Sequence, residues 1–221
     1  MRNPSKEECY KLMYLSGMLP NIVAHSLRVC RVATFLVDQL AENGIKCDRE
    51  LVQAAAILHD ITKTRSLKTG ENHAKTGAEF VKTLGYPDVA YIIDHHVILD
   101  EDRVLDKPAE VEIVNYADKR VLHDQVVSLQ ERMEDIITRY AKQPIEEEYI
   151  ARHWQRVKAL EKRLFVFVSF APDDLGKLSG LDSLFAAIED YHCFCSQFFQ
   201  QPLSGSISFD EFPQRGIDST K

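Results

Sequence analysis

The chain has 221 residues and a net charge of −7, from 27 basic and 34 acidic residues. This length suffices for one hydrophobic core with a helical extension, and the acidic balance argues against nonspecific nucleic-acid binding through a basic face. No apolar run approaches the ~20 residues of a membrane span, no secretion signal opens the chain, and the 5 cysteines include no C-x-x-C pair, so we expect a cytoplasmic protein with reduced thiols.

The first hundred residues have a helical period almost throughout. The spacing of apolar residues predicts helices over 21–42, 48–60, 73–84 and 87–97. Asn72 is expected to cap the third of these helices, Gly85 to end it, and Pro87 to begin the fourth. The stretch 62–71 is polar and is predicted to be a loop.

The second half is less regular. Residues 99–107 are predicted to form an acidic loop, after which Pro108 begins a helix whose pattern continues, with a break allowed, to Tyr140. Gln143-Pro144 is the best boundary, which divides the chain into a domain over 1–142, a helical extension over 143–200 and an irregular tail over 201–221. Within the extension we predict helices over 145–163 and 181–199, a loop over 172–180, and either a buried helix end or a short strand over 164–170.

The dipeptide His59-Asp60 ends an apolar helix and suggests a metal site. The run Ala54-Ala55-Ala56-Ile57-Leu58 before it predicts burial, and a buried carboxylate needs a cation or several hydrogen-bond donors. A metal ion satisfies both residues together, because imidazole nitrogen and carboxylate oxygen are compatible ligands for Zn, Fe, Mn or Ni.

Four further side chains have ligand chemistry and a buried or helix-end position. His25 lies on the apolar stripe of its helix, Asp118 lies inside an apolar helix, His73 begins a helix and His96 ends one. Taken alone, a residue such as His25 is more often a hydrogen-bonded core histidine, so the argument rests on the six residues together.

The order of these residues resembles a known family. His25, then His59-Asp60, then Asp118, with the segments Asn72–Glu79 and Ala90–His96 between them, is similar to the HD-domain superfamily of metal-dependent phosphohydrolases over residues 10–140. The subgroup that it resembles is the small stand-alone HDIG type, which includes the bacterial symmetrical diadenosine tetraphosphate hydrolases. The resemblance implies an all-α fold, an HD helical bundle with a C-terminal helical extension.

The resemblance also implies a site and a reaction. The implied ligands are His25, His59, Asp60, His73, His96 and Asp118, holding two divalent ions among Mn, Fe, Ni, Co and Zn. Asp60 would bridge the ions, and a metal-activated water would cleave a phosphoester or phosphoanhydride of a nucleotide or related small substrate. Lys63 is assigned with Asp60 to catalysis, as a contact to phosphate, with a solvated loop lysine as the alternative.

Other polar side chains have weaker assignments. His95, Arg65 and Lys119 are candidates for contacts to ligands or substrate, and His96 matches the family pattern better than His95. Lys68, Lys119 and Arg120 are expected at the surface if they do not contact phosphate, and His123 is expected to be structural or exposed.

Three features depart from the family pattern. Thr62 replaces the glycine of Ile-Gly-Lys, and the short separation of Asp60 from His73 predicts a reduced lid. Asn21 stands where the HD-GYP branch has glutamate, and the GYP signature is absent, which argues against hydrolysis of cyclic-di-GMP.

Two other function classes fit the same residues. Some HD-fold proteins use such ligands for a mixed-valent di-iron site that oxygenates a carbon with O2, and a nucleotide-binding module without catalysis is the third hypothesis. The expected partner is a small phosphorylated substrate, without membrane or nonspecific nucleic-acid binding. The extension contains three phenylalanines that must be buried against something, Phe165, Phe167 and Phe170. They could form a homodimer surface, or they could pack on the core of the same chain.

Overall fold

A computed structural model describes residues 2–99, 107–177 and 184–199, and the regular structure in them is helical except for one short hairpin. The all-α prediction is therefore confirmed. The α-helices are α1 Lys6–Leu15, α2 Pro20–Glu42, α3 Arg49–Leu58, α4 Lys63–Thr69, α5 His73–Thr83, α6 Pro87–His95, α7 Glu110–Lys119, α8 Leu129–Tyr140, α9 Pro144–Leu164 and α10 Leu184–Phe199. The hairpin strands are β1 Val121–Leu122 and β2 Gln125–Val126, and two 3₁₀ helices cover Phe165–Phe167 and Pro172–Lys177.

Helices α2 and α3 form the centre of the core. The stripe predicted for α2 is buried, with Val29 and Val32 at 0% exposure and Leu36 and Leu40 at 1%. The alanines of α3 are also fully covered, and their small side chains allow α2 and α3 to pack closely. The His59-Asp60 pair follows this buried helix directly, so it lies inside the molecule.

The predicted boundaries of α5 and α6 are confirmed within a few residues. The Asn72 side chain accepts hydrogen bonds from the backbone N–H groups of Ala74 and Lys75 at 3.0 and 3.2 Å. Gly85 follows α5 with a φ of +90°, a conformation that costs glycine little, and Pro87 is the first residue of α6. The helix ends that carry His73 and His96 are thus determined by local sequence.

The loop predicted over 62–71 is wrong in its central part. Lys63–Thr69 forms the short helix α4, which ends at Gly70 with a φ of +76°. None of its residues is buried. Apolar periodicity cannot reveal a helix without a buried face, although lysine, arginine and leucine favour helices.

The helical pattern predicted from Pro108 to Tyr140, in which a break was allowed, is interrupted after α7 by a hairpin. Val121 pairs with Val126 and Leu122 with Gln125 in antiparallel register. His123 occupies the turn with a φ of 56°, the left-handed region that non-glycine residues rarely adopt. The β-branched valines favour the extended backbone, and the hairpin leads the chain from α7 into α8.

The residues after 143 pack on the rest of the chain. Trp154 of α9 is 1% exposed, and its indole N–H donates to the carbonyl of Leu129 at 3.0 Å. Tyr10 of α1 donates to Asp190 of α10 at 3.3 Å, and its ring meets that of Tyr191 edge-on at 5.3 Å. The domain division itself stays a prediction.

Several expectations about the second half are corrected or untested. Phe165–Phe167 is a 3₁₀ helix, so the strand alternative for 164–170 is wrong, and residues 172–177 form a second 3₁₀ helix instead of a loop. Most of the loop predicted over 99–107, the start of the last helix and the tail over 201–221 lie outside the described residues. Among the described helices, none is long and apolar enough to cross a membrane.

Candidate metal centre

The structure brings the six predicted ligands into one cluster. His25 comes from α2, Asp118 from α7, and His59 and Asp60 from the turn after α3, while His73 begins α5 and His96 follows α6. Five segments of the fold therefore converge on one point.

Three of these residues form what we call the first half-site: His25, His59 and Asp118. Oδ1 of Asp118 lies 3.1 Å from Nε2 of His25 and 3.7 Å from Nε2 of His59. The ligand atoms of the three residues all lie within 4.8 Å of one another. Such a set of two imidazoles and one carboxylate is a common coordination site for divalent transition metals.

The other three residues form the second half-site: Asp60, His73 and His96. Oδ1 of Asp60 lies 3.2 Å from Nε2 of His73 and 3.7 Å from Nε2 of His96. The other oxygen of the same carboxylate, Oδ2, lies 3.7 Å from Nε2 of His59. The two oxygens of Asp60 thus face different half-sites, as a bridging ligand requires.

Backbone carbonyls orient three of the imidazole rings. Nδ1 of His25 hydrogen-bonds the carbonyl of His123 at 2.8 Å, that of His59 the carbonyl of Ala56 at 2.8 Å, and that of His96 the carbonyl of Ile93 at 2.7 Å. A carbonyl only accepts, so each Nδ1 carries the proton and each Nε2 presents a lone pair to the cluster. Contacts of this kind orient metal-binding histidines.

Two atoms at the centre of the cluster lack a hydrogen-bond partner among the described residues. They are Nε2 of His59 and Oδ1 of Asp60, and both are buried. Oδ1 of Asp60 has an ion-pair contact with the Lys63 ammonium at 3.5 Å, whereas Nε2 of His59 has no donor among the described residues, and a buried acceptor without a donor is costly. A metal ion satisfies lone pairs of both kinds, so the residues present fit the metal that the sequence pattern implies.

The electrostatics favour the protonation states that metal ligands need. Burial lowers the pKa of His59 to about 3 and also lowers the pKa of His73. Burial alone would raise the pKa of Asp60, but the polar neighbours of its carboxylate, among them His73 and the Lys63 ammonium, hold it well below its usual range. At neutral pH His59 and His73 are therefore neutral and Asp60 is ionised, and these are the forms that bind a metal.

The weaker candidates divide into two groups. Nζ of Lys63 lies 3.2 Å from Nε2 of His73 and 3.5 Å from Oδ1 of Asp60, so this lysine borders the second half-site. Arg65 instead donates to Glu71 at the surface, and Lys68 is exposed. His95 bonds the carbonyl of Tyr91 through Nδ1, and its ring packs on the tyrosine ring at 4.3 Å. His96, and not His95, belongs to the cluster.

The surface positions expected for Lys119 and Arg120 are wrong. Lys119 is 4% exposed and donates to Asp118 and to the carbonyl of His96. Arg120 is 2% exposed and donates to Tyr116, to Glu161 and to backbone carbonyls. Charged residues at a helix end usually face solvent, but α6 and α9 cover this end of α7.

Sequence reasoning missed two groups that border the cluster. The side chain of Asn115, fully buried on α7, donates to the carbonyls of His95 and His96 at 3.2 and 2.8 Å. The position of Asn115, a polar residue inside an apolar helix, could have indicated this role from the sequence. The carbonyl of His123, which holds the His25 ring, left no signal in the sequence because any residue has one.

Comparisons with known proteins agree with this geometry. Residues 22–121 match the family model of the HD domain, an interval that contains all six clustered ligands. A tRNA (cytidine(56)-2'-O)-methyltransferase of Picrophilus torridus is 29% identical over 144 residues, which are 59% of this chain and 40% of that protein. An uncharacterised protein of Methanocaldococcus jannaschii is 29% identical over 135 residues, 55% of this chain and 76% of that protein.

Two further similarities are more limited. Ribonuclease Y of Aquifex aeolicus is 31% identical over 88 residues, which are 39% of this chain and 15% of the ribonuclease. The crystal structure of a predicted HD superfamily hydrolase from an uncultured Thermotogales bacterium has a TM-score of 0.42 and 18% identity, over 75% of this chain and 94% of that one. The chain thus spans less than half of the methyltransferase and a small part of the ribonuclease. The match identifies residues 22–121 of this chain as an HD domain.

Proposed function

We propose that this chain is a metal-dependent phosphohydrolase that cleaves a phosphoester or phosphoanhydride of a nucleotide or related small substrate. One observation carries the proposal. The two oxygens of Asp60 face different sets of imidazoles, toward His73 and His96 on one side and toward His59 on the other. Within an HD domain, this arrangement supports a pair of metal sites that share one carboxylate.

We propose two divalent ions per chain, each held by one half-site. The ligand set of imidazoles and carboxylates suits Mn, Fe, Co, Ni and Zn, so availability selects among them. Bound in pairs, such ions activate a water and neutralise the oxygens of an in-line phosphoryl displacement. The buried acceptors of His59 and Asp60 give the chain its affinity for these ions.

The chain's own contribution to substrate binding is a cation beside the metal site. Lys63 is 27% exposed, so its ammonium reaches both the second half-site and solvent. We propose that it leaves its contacts with Asp60 and His73 to bind a phosphoryl oxygen of the substrate. The pair of ions and Lys63 then supply the positive charge that an anionic substrate needs, although the chain as a whole carries −7.

The size of the substrate is part of the proposal. The net charge favours a small phosphorylated molecule over a long nucleic acid. Two relatives bear the names of enzymes that act on RNA, a tRNA methyltransferase and a ribonuclease, so RNA oligonucleotides belong in the substrate test. A preference for oligonucleotides over nucleotides would replace the small-molecule part of the proposal.

The test is phosphate release, or oligonucleotide cleavage, from a panel of substrates with Mn²⁺, Fe²⁺, Ni²⁺ or Mg²⁺ added. The panel contains nucleoside mono-, di- and triphosphates, dinucleoside polyphosphates, cyclic nucleotides and short RNA. The double variant His59→Ala/Asp60→Ala should abolish release, while His192→Ala, an exposed histidine on α10, should retain it.

Two outcomes would contradict the proposal. Protein that holds two irons, releases no phosphate and consumes O2 with an alcohol or phosphonate would indicate an oxygenase. Protein that binds nucleotide but holds no metal and releases nothing would indicate a binding module.

A further inference from the structure

One buried charged side chain beside the metal centre has no role in the proposed function. Lys119 is 4% exposed and lies directly after Asp118 in α7. Its ammonium donates to Oδ2 of Asp118 at 2.8 Å and to the carbonyl of His96 at 2.9 Å. A buried ammonium requires such partners. Replacing a buried ion pair by apolar side chains often leaves the stability of a protein unchanged. Stability alone therefore does not explain why a lysine occupies this buried position.

The two contacts of Lys119 reach different halves of the metal centre. Asp118 belongs to the first half-site and His96 to the second. Because the ammonium occupies Oδ2 of Asp118, the other oxygen, Oδ1, faces the imidazoles of His25 and His59. The carboxylate is thus directed to offer one oxygen, and the same ammonium fixes the backbone that carries His96.

Asn115 completes the connection from the preceding turn of α7. Its side-chain amide donates to the carbonyl of His96 at 2.8 Å and to that of His95 at 3.2 Å. The carbonyl of His96, at the end of α6, thus accepts hydrogen bonds from both Lys119 and Asn115. Nδ1 of His96 bonds the carbonyl of Ile93, so the direction of Nε2 follows from the position of this backbone.

We infer that Lys119 is a positioning residue that fixes the distance between the two half-sites and holds Asp118 as a ligand through one oxygen. The inference rests on the proposed two-metal site. Asn115 assists by fixing the His96 carbonyl, and Lys119 itself touches neither substrate nor metal.

The test measures the metal pair directly, by electron paramagnetic resonance during titration with Mn²⁺. Two Mn²⁺ ions held at a fixed short distance give an exchange-coupled signal that isolated ions do not give. The wild-type chain should show this signal. Lys119→Met keeps a long unbranched side chain but removes the ammonium. This variant should lower the Mn²⁺ affinity at least ~10-fold and replace the coupled signal by that of isolated ions.

Two further variants separate positioning from a merely structural effect. Lys119→Arg retains donors for both acceptors and should restore more of the coupled signal than Lys119→Met. Lys75→Met removes a lysine that is 70% exposed and should behave as wild type. Asn115→Ala removes only the contacts to the end of α6, and should weaken the coupled signal even where Lys119→Met does not fold.

The outcomes distinguish this inference from the proposed function. Wild-type protein that binds neither Mn²⁺ nor any of the other divalent ions proposed for the site would overturn both. Wild-type protein with a coupled signal, together with folded Lys119→Met or Asn115→Ala variants of unchanged signal and affinity, would overturn the inference alone.

Discussion

At the scale of single residues, Asp60 is the carboxylate on which the two half-sites depend. Its side chain is 7% exposed, and its two oxygens lie near imidazoles of both half-sites. Asp60→Asn keeps the shape but removes the charge, so we expect metal content to fall and phosphate release to drop by at least ~100-fold. Metal analysis after dialysis and a release assay measure these effects. Asp94→Asn changes a carboxylate of α6 that pairs with the exposed Lys75, and it should retain both metal content and activity. A fully active Asp60→Asn variant would contradict the bridging role.

Lys63 offers a second test at this scale, directed at the substrate. A hydrogen bond from a charged donor contributes about 1.5–3 kcal/mol, so Lys63→Met should lower kcat/KM roughly 10- to 100-fold. Metal content should stay unchanged, because a lysine is no ligand at neutral pH. Lys68→Met removes an exposed lysine of the same helix α4 and is the matched control. Equal kinetics of both variants would show that Lys63 does not contact phosphate.

The burial of Lys119 and Arg120 shows where reasoning from the sequence fails at the residue scale. The six ligand candidates could be named because each combined metal-binding chemistry with an apolar helix or a helix end. Lys119 and Arg120 carry no such mark, because their burial depends on the end of α6 and on α9, which are distant in sequence. Tertiary contacts of this kind are not encoded in a local pattern.

At the scale of elements, α9 is tied to α7, the helix that carries Asp118. Glu161 of α9 accepts a hydrogen bond from Tyr116 at 2.6 Å and forms an ion pair with the buried Arg120 at 3.3 Å. Among the described residues, Glu161→Leu leaves the Arg120 guanidinium hydrogen-bonded to neutral groups only, so we expect a loss of about 2–4 kcal/mol in the free energy of unfolding. Urea denaturation checks this. Glu148→Leu, at an exposed position of the same helix, should change stability little, and an equal loss in both variants would contradict the assignment.

Elements were predicted well where they have a buried apolar face. The bounds of α2, α3, α5 and α6 follow from apolar spacing and from cap residues such as Asn72, and the structure agrees within a few residues. The sequence pattern did not reveal the helix α4 or the hairpin at His123, for two different reasons. The first has no buried face, and the second interrupts a helical pattern over only a few residues.

At the scale of the whole molecule, the metal-free chain should lose stability as the pH falls from 7 to 5. Burial lowers the pKa of His59 to about 3 and that of His153, beside Lys119 and Arg156, to about 4. In the unfolded chain both pKa values return to about 6.5. At pH values between the folded and unfolded pKa values, the unfolded state binds more protons than the folded state. The free energy of unfolding therefore decreases as the pH decreases.

This prediction has a definite size and a matched control. At pH 5 the loss is roughly 1–2 kcal/mol for each histidine, measured by urea denaturation of metal-free protein at pH 7 and pH 5. His153→Leu should remove its share of the difference, whereas His192→Leu, an exposed histidine on α10, should leave the difference unchanged. Equal stability of the metal-free chain at both pH values would show that the pKa values of these two histidines are the same in the folded and the unfolded chain, which would contradict the effect of burial on them.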